Sequence, residues 1–211
     1  MSAIAVIAKA PVAGASKTRL TPACTPEQAA QLAAAALTDT LAAVAATPAD
    51  RRVVVLHGAP GAWLAPGFEV IAQRGGDLAQ RLAAAFADLG EPALVVGMDT
   101  PQLTPRLLCL ALDELDRADA VLGPAPDGGY WAIGLRAADD AVFAGVPMSD
   151  ATTCAVQRER LDALGLRTSE LPELRDVDDI DDAHAVAALA PRTCFARALA
   201  AMAPRAATVP A

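Results

Sequence analysis

The chain has 211 residues, enough for one domain with a substantial core. Its net charge of −8 argues against a polyanion such as nucleic acid as the main partner, while a small phosphorylated ligand held by a few local cations stays compatible with it. Hydrophobic residues make up 54% and aromatics 3%, so the core is built from Ala, Val, Leu and Ile, and no run approaches the ~18 apolar residues of a membrane span.

Residues 3–7 form an apolar, β-branched run with the length of a buried parallel strand. The following loop, residues 8–20, carries Lys9, Lys17 and Arg19 together with Gly14. Positive charge gathered just past a first strand suits a phosphate-binding loop; the alternative is a surface loop with solvated cations on an exposed, irregular backbone. Ser16-Lys17-Thr18 resembles the end of a Walker A loop, but Pro11 and Ser16 stand where that motif needs glycine, and Pro22 and Pro26 follow where it needs a helix. Pro26 instead opens the first helix, with Thr25 as N-cap and Gln28 completing a capping box. That helix runs to about Ala46, with Leu32, Ala36, Leu37, Leu41 and Val44 on one stripe.

Strands are expected over residues 52–56, 68–71, 93–98 and 119–123, with helices from the Asp77 cap to about Leu89 and from Thr104-Pro105 to Arg117. The rhythm changes at Gly128-Gly129, where a turn feeds a strand to Leu135 close enough to its predecessor for antiparallel pairing. A helix over 151–164, an extended run over 166–177 and helices from about Ile180 complete the pattern, and residues 206–211 read as a frayed tail. Alternating β and α elements imply a single α/β domain over residues 1–205, with a mostly parallel mixed sheet covered by helices on both faces.

Asp99 ends the most apolar strand, where α/β sheets place their ligand crevice, and suits Mg2+ or Mn2+; the alternative is a turn or capping Asp ahead of Pro101, although Thr104 already caps the next helix. Asp176 and Asp178, two apart in an extended segment, point to one side and read equally as ligands or as part of an acidic helix N-terminus, whereas Asp179, Asp181 and Asp182 suit the first turn of a helix. Gln73, Gly75, Gly76 and Asp77 form a strand-to-helix turn that could let a base or ribose approach the backbone. Asp127, Gly128, Gly129 and Tyr130 form a second such turn, and Arg136, like Arg19, is a candidate anion partner. His57 and His184 have no evident partner in the sequence and are read as structural. The scattered Cys24, Cys109, Cys154 and Cys194 read as buried or half-buried thiols of a reducing cytoplasm.

The loop over 8–20, Gln73-Arg74-Gly75-Gly76-Asp77-Leu78, Gly97-Met98-Asp99-Thr100-Pro101, residues 123–130 and residues 171–178 occur in family order. Together they resemble the bacterial glycosyltransferase-A-like family of nucleotide-diphospho-sugar transferases, some members of which are assigned to arsenosugar biosynthesis. More distantly the chain is similar to phospholactate and molybdenum-cofactor guanylyltransferases. The resemblance covers roughly residues 3–190 and implies a glycosyltransferase-A fold. It implies phosphate contacts from Lys17 and Arg19, with Lys9 and Gly14 in the same loop, and a nucleoside near Gln73, Gly75, Gly76 and Asp77. Asp99 would bind the metal, Asp178 (or Asp176) would be the second ligand, and Asp127, Gly128, Gly129 and Tyr130 would lie by the second substrate. Met98-Asp99-Thr100 replaces the more usual Ser-Asp-Cys, Gln102 replaces an Asp, and Pro147-Met148-Ser149-Asp150 replaces Pro-Trp-Ser-Thr, a change that bears on the acceptor and not on the metal site.

The resulting expectation is a Mg2+- or Mn2+-dependent cytoplasmic transferase taking a nucleotide or nucleotide-sugar donor and a small-molecule acceptor. Asp99, Lys17 and Arg19 would stabilise charge on the departing phosphate. Glycosyl transfer leads on the family's description; the alternatives are nucleotidyl transfer to a phosphorylated small molecule and a non-catalytic nucleotide-binding module.

Overall fold

The computed structural model describes residues 2–21, 23–90 and 92–202. Pro22, expected to keep the first loop irregular, lies outside the described residues, as does the stretch over 206–211 read as a tail.

Seven strands form one sheet: β1 (Ala3–Lys9), β2 (Arg51–His57), β3 (Glu69–Ala72), β4 (Ala93–Gly97), β5 (Ala120–Pro124), β6 (Tyr130–Leu135) and β7 (Thr168–Glu170), in the order β3-β2-β1-β4-β6-β5-β7. Among the described residues, six α-helices accompany them: α1 (Pro26–Ala45), α2 (Leu78–Leu89), α3 (Pro105–Leu115), α4 (Thr153–Ala163), α5 (Ile180–Leu189) and α6 (Cys194–Ala200). All pairings are parallel except those of β6, which runs antiparallel to both β4 and β5. The Gly-Gly turn produces this reversal, since only five residues separate β5 from β6 and no crossover helix fits between them. The expected extended run over 166–177 is a strand only at Thr168–Glu170; beyond it the backbone is irregular.

Helix starts follow the cap chemistry. Thr25 accepts from Gln28 N while Gln28 returns a bond to Thr25 N, Asp77 accepts from Gln80 N, and Thr104 accepts from Leu107 N. Strand side chains alternate between two cores. Ile4, Val6 and Ala8 of β1 join Leu37, Leu41, Leu108 and Ala111 from α1 and α3 on one face. Ala3 and Ala5 join Leu82, Phe86 and Leu161 from α2 and α4 on the other, where the Phe86 and Phe143 rings stack 5.7 Å apart.

A third, smaller core matters most for function. Leu20 of the first loop and Val177 of the late segment are both buried among Leu32 and Ala36 of α1, Ala183 and Val186 of α5, and Phe195 of α6. Asp39 secures this corner by accepting from Cys194 N and Phe195 N at 2.8 Å each. Among the described residues, no helix is long and apolar enough to cross a membrane.

Candidate functional site

Three parts of the chain emerge together because of strand direction. β1 and β4 are parallel neighbours, with Ile7 opposite Gly97, so the loop after β1 and residues 98–100 leave the sheet side by side. β6 runs the other way, with Ala132 opposite Val96, so it begins at the same edge and brings the Asp127–Tyr130 turn with it.

Residues 171–178 are then laid across these strand ends. Leu171 N donates to Leu122 O at 2.9 Å, Leu174 N to Pro124 O at 3.1 Å and Val177 N to Asp99 O at 3.0 Å. Two side chains fasten the same strap: Trp131 Nε1 donates to Pro172 O at 3.1 Å, and Gln102 Nε2 donates to Arg175 O. Inside the strap, Val177 points into the small core, so its neighbours Asp176 and Asp178 are turned to the opposite side.

The first loop is closed by its own side chains. Ser16 Oγ accepts from Val12 N at 2.9 Å, and Lys9 Nζ donates to Ala15 O at 2.9 Å. Lys17 adopts a left-handed backbone, φ 50° and ψ 44°, which turns its side chain inward. Its ammonium lies 2.8 Å from Asp99 Oδ2 and 3.7 Å from Asp178 Oδ1, and it donates to Val177 O. The sequence predicts an exposed loop lysine here; instead the Lys17 side chain is only 10% exposed, because three oxygens from the segment after β4 and from the strap converge on it. Arg19, at 69% exposure, does lie in solvent, with Nη1 2.6 Å from Asp178 Oδ2.

Asp127, Asp176 and Asp178 each offer a carboxylate oxygen within 4.8 Å of the others. Asp127 Oδ1 also accepts from Gly129 N at 2.8 Å. Burial raises the Asp176 carboxyl to about 6, with the negative charges of Asp127 and Asp178 adding to the effect. Asp99 Oδ1, Thr100 Oγ1 and Gln102 Oε1 are buried without a hydrogen-bond partner among the described residues. Hard carboxylate oxygens from several segments, one of them orphaned, fit a hydrated Mg2+ or Mn2+. Asp127 thus stands beside the carboxylate pair as well as beside the second-substrate turn to which the sequence assigns it.

Two clefts open on these groups. The smaller, about 220 Å³, is lined by Lys9, Ser16, Lys17, Thr18, Arg19 and Met98. The larger, about 590 Å³, extends past Leu78, Thr100, Gly129, Tyr130, Met148, Ser149 and Asp150; Arg19, Asp99 and Asp178 border both. The wall of the larger cleft is fixed by close backbone approach. Gly128 has φ 88°, and a Cβ there would fall 1.9 Å from Ala151 O. Its carbonyl also accepts from Cys154 N at 2.7 Å, near the start of α4. Burial pushes the Tyr130 phenol up, and its OH donates to Gln157 Oε1 at 3.4 Å.

The remaining expected residues behave differently. Gln73 Nε2 donates to Ala8 O and Val55 O, stapling the ends of β1 and β2, while Gly76 N and Asp77 are bonded to Gln80 in the α2 cap. Gly75, at φ 107°, has Gln80 Cβ 2.8 Å from where its own Cβ would be. None of residues 73–77 lines the two clefts, although Leu78 lines the larger. Gly14, at φ 75°, turns the first loop. The anion-partner expectation for Arg136 is overturned. Its Nη2 donates to the carbonyls of Leu115, Asp116 and Ala118, capping the end of α3 at the opposite edge of the sheet. Gln102 and Trp131 escape sequence reasoning as strap fasteners because both bonds go to backbone carbonyls far along the chain.

This sheet and its helices are the fold of the nucleotide-diphospho-sugar transferases. Within that fold the chain belongs to the family described as "uncharacterized protein conserved in bacteria" (DUF2064), whose model matches residues 24–150. It is similar to a crystal structure from Desulfovibrio desulfuricans G20, a protein proposed to be a nucleotide-diphospho-sugar transferase. The identity is 29%, 94% of this chain and 92% of that one are covered, and the TM-score is 0.84. The fold also matches Rv0371c of Mycobacterium tuberculosis H37Rv in complex with manganese (20% identity, 88% and 96% covered, TM-score 0.54). A third match is 2-C-methyl-D-erythritol 4-phosphate cytidylyltransferase of Thermus thermophilus (18%, 90% and 100%, 0.56). No curated protein matches the chain in sequence.

Proposed function

We propose that the chain is a divalent-metal-dependent transferase acting on a nucleotide-activated donor, with glycosyl transfer from a nucleoside diphosphate sugar as its reaction. One observation carries most of the weight: two loop cations, Lys17 and Arg19, meet Asp99 and Asp178 at the strand ends, with Asp127 and Asp176 alongside. The convergent carboxylates speak against a non-catalytic nucleotide binder, which needs no such metal-holding set.

Asp127, Asp176 and Asp178 would hold Mg2+ or Mn2+, with Asp99 completing the ligand set, and the ion would supply positive charge to the donor's phosphate oxygens. Lys17 and Arg19 hold the same phosphates from the loop side, where backbone geometry presets the Lys17 ammonium. The acceptor oxygen bonds to the anomeric carbon as the bond from that carbon to the diphosphate breaks and its electron pair leaves with the diphosphate. The acceptor's proton passes to a cleft carboxylate, and Asp127 is the most exposed of the three clustered acids. Positioning and charge compensation do the chemistry, so neither histidine nor cysteine is required.

A thermal-shift screen of nucleoside diphosphates, triphosphates and nucleotide sugars, with and without Mn2+, tests this proposal. A cognate ligand at a hundredfold excess over Kd should stabilise by about 2.7 kcal/mol. Asp99→Asn should fold like the parent and lose the metal-dependent part of that gain, because it keeps shape but not the charge a hard cation needs. Equal metal-dependent stabilisation of parent and variant refutes the assignment.

A further inference from the structure

The larger cleft has a lining that constrains its occupant. Five carboxylates face it, from Asp99, Asp127, Asp150, Asp176 and Asp178, against the single guanidinium of Arg19. That guanidinium is held 2.6 Å from Asp178, and the adjoining Lys17 ammonium is held 2.8 Å from Asp99. A bound divalent ion would still leave carboxylate charge in excess, and the donor's diphosphate would add more. An ionised carboxylate accepts hydrogen bonds and cannot donate them, so this lining calls for a ligand rich in O–H or N–H donors. A phosphate group brings acceptors and negative charge, both of which the cleft already has in surplus.

A second observation lies on the same wall. Thr100 is 1% exposed, its hydroxyl has no partner among the described residues, and it lines this cleft. A buried hydroxyl without a partner is costly, so a turn of the Thr100 side chain that brings it to a ligand hydroxyl in the cleft is favourable. Leu78 and Met148 add an apolar surface suited to the C–H face of a polyol.

We infer that the acceptor is an unphosphorylated, hydroxyl-bearing molecule, neutral or carrying an amine, and that the Thr100 hydroxyl is one of its hydrogen-bond partners. This rests on the transferase proposal above for the word acceptor, but the charge preference belongs to the cleft itself. It also disfavours nucleotidyl transfer to a phosphorylated substrate.

Ligand-observed NMR with glucose, glucosamine and glucose 6-phosphate as matched probes tests the inference, on the metal-free protein and again with Mg2+ and UDP. Glucose and glucosamine should each bind at least about tenfold more tightly than glucose 6-phosphate in both conditions. Asp150→Lys, outside the metal cluster, should narrow that gap severalfold. Thr100→Val should weaken glucose severalfold and leave UDP binding unchanged, and Thr100→Ser should restore it. Tightest binding of glucose 6-phosphate, or equal response to all three including none, overturns the inference. A protein that ignores Mg2+ and UDP yet keeps the probe preference would overturn the transferase proposal alone.

Discussion

Removing the charge of Asp176 should stabilise the metal-free protein. The folded state raises this carboxyl from its ordinary value near 3.8 to about 6, first by burial and then by repulsion from Asp127 and Asp178. A carboxyl raised on folding binds its proton more tightly in the folded state, so the contribution of Asp176 to stability is most favourable below pH 3.8 and falls as pH rises to about 6, after which its deficit is constant. Two pH units correspond to about 3 kcal/mol. Asp176 is only half-buried, so screening by water brings the expected deficit to ~1–2 kcal/mol. Asp176→Asn keeps the shape and abolishes the deficit, so its midpoint at pH 7.5 in EDTA should rise by roughly 3–6 °C for a domain of this size. At pH 4 parent and variant should melt together. Added Mn2+ should then stabilise the parent more than the variant, which has lost one of the carboxylates that would hold the ion. A variant that is no more stable at pH 7.5, or equally stabilised at pH 4, would refute both the burial and the carboxylate clustering that the prediction rests on.

The two loop cations should separate in their effects. Arg19→Ala should weaken nucleoside diphosphate binding about tenfold or more with little change in melting temperature, since an exposed charge-assisted contact to phosphate is worth roughly 1.5–3 kcal/mol. Lys17→Ala should weaken binding similarly but also cost stability, because it strips Asp99 and Asp178 of their shared ammonium; an unchanged melting temperature would show that this ion triad is not held in solution. Gly128→Ala should cost more than about 2 kcal/mol in urea unfolding, from a left-handed backbone and a clash with the Ala151 carbonyl; a cost within about 0.5 kcal/mol would mean the 147–151 wall moves freely.

Much of this is legible in the residues because the deciding interactions are local. The Thr25–Gln28 capping box, the Asp77 and Thr104 caps and the Gly128-Gly129 reversal each depend on groups within a few positions of one another. Asp99 just past β4 and the shared side of Asp176 and Asp178 follow from strand direction and two-residue alternation. The strap itself is not legible. Its hydrogen bonds run to Leu122, Pro124, Asp99, Gln102 and Trp131, and no local pattern encodes partners at that distance. For the same reason Arg136 is misread from sequence: a lone arginine after a strand looks the same whether it meets a ligand or the end of a helix.

The Lys17 ammonium finds its Val177 carbonyl across 160 positions of chain. Contacts of such long range form late and slowly, after nearer strands have paired. The carboxylates at 176 and 178 leave the ribosome well after the loop that faces them, and the α6 helix packed beneath both comes later still. A nascent chain can therefore complete most of its sheet while this corner has nothing to close against. Competence to hold ligand should arrive abruptly, once residues 176–200 have emerged, so a ligand present during earlier translation would find no closed corner to act on.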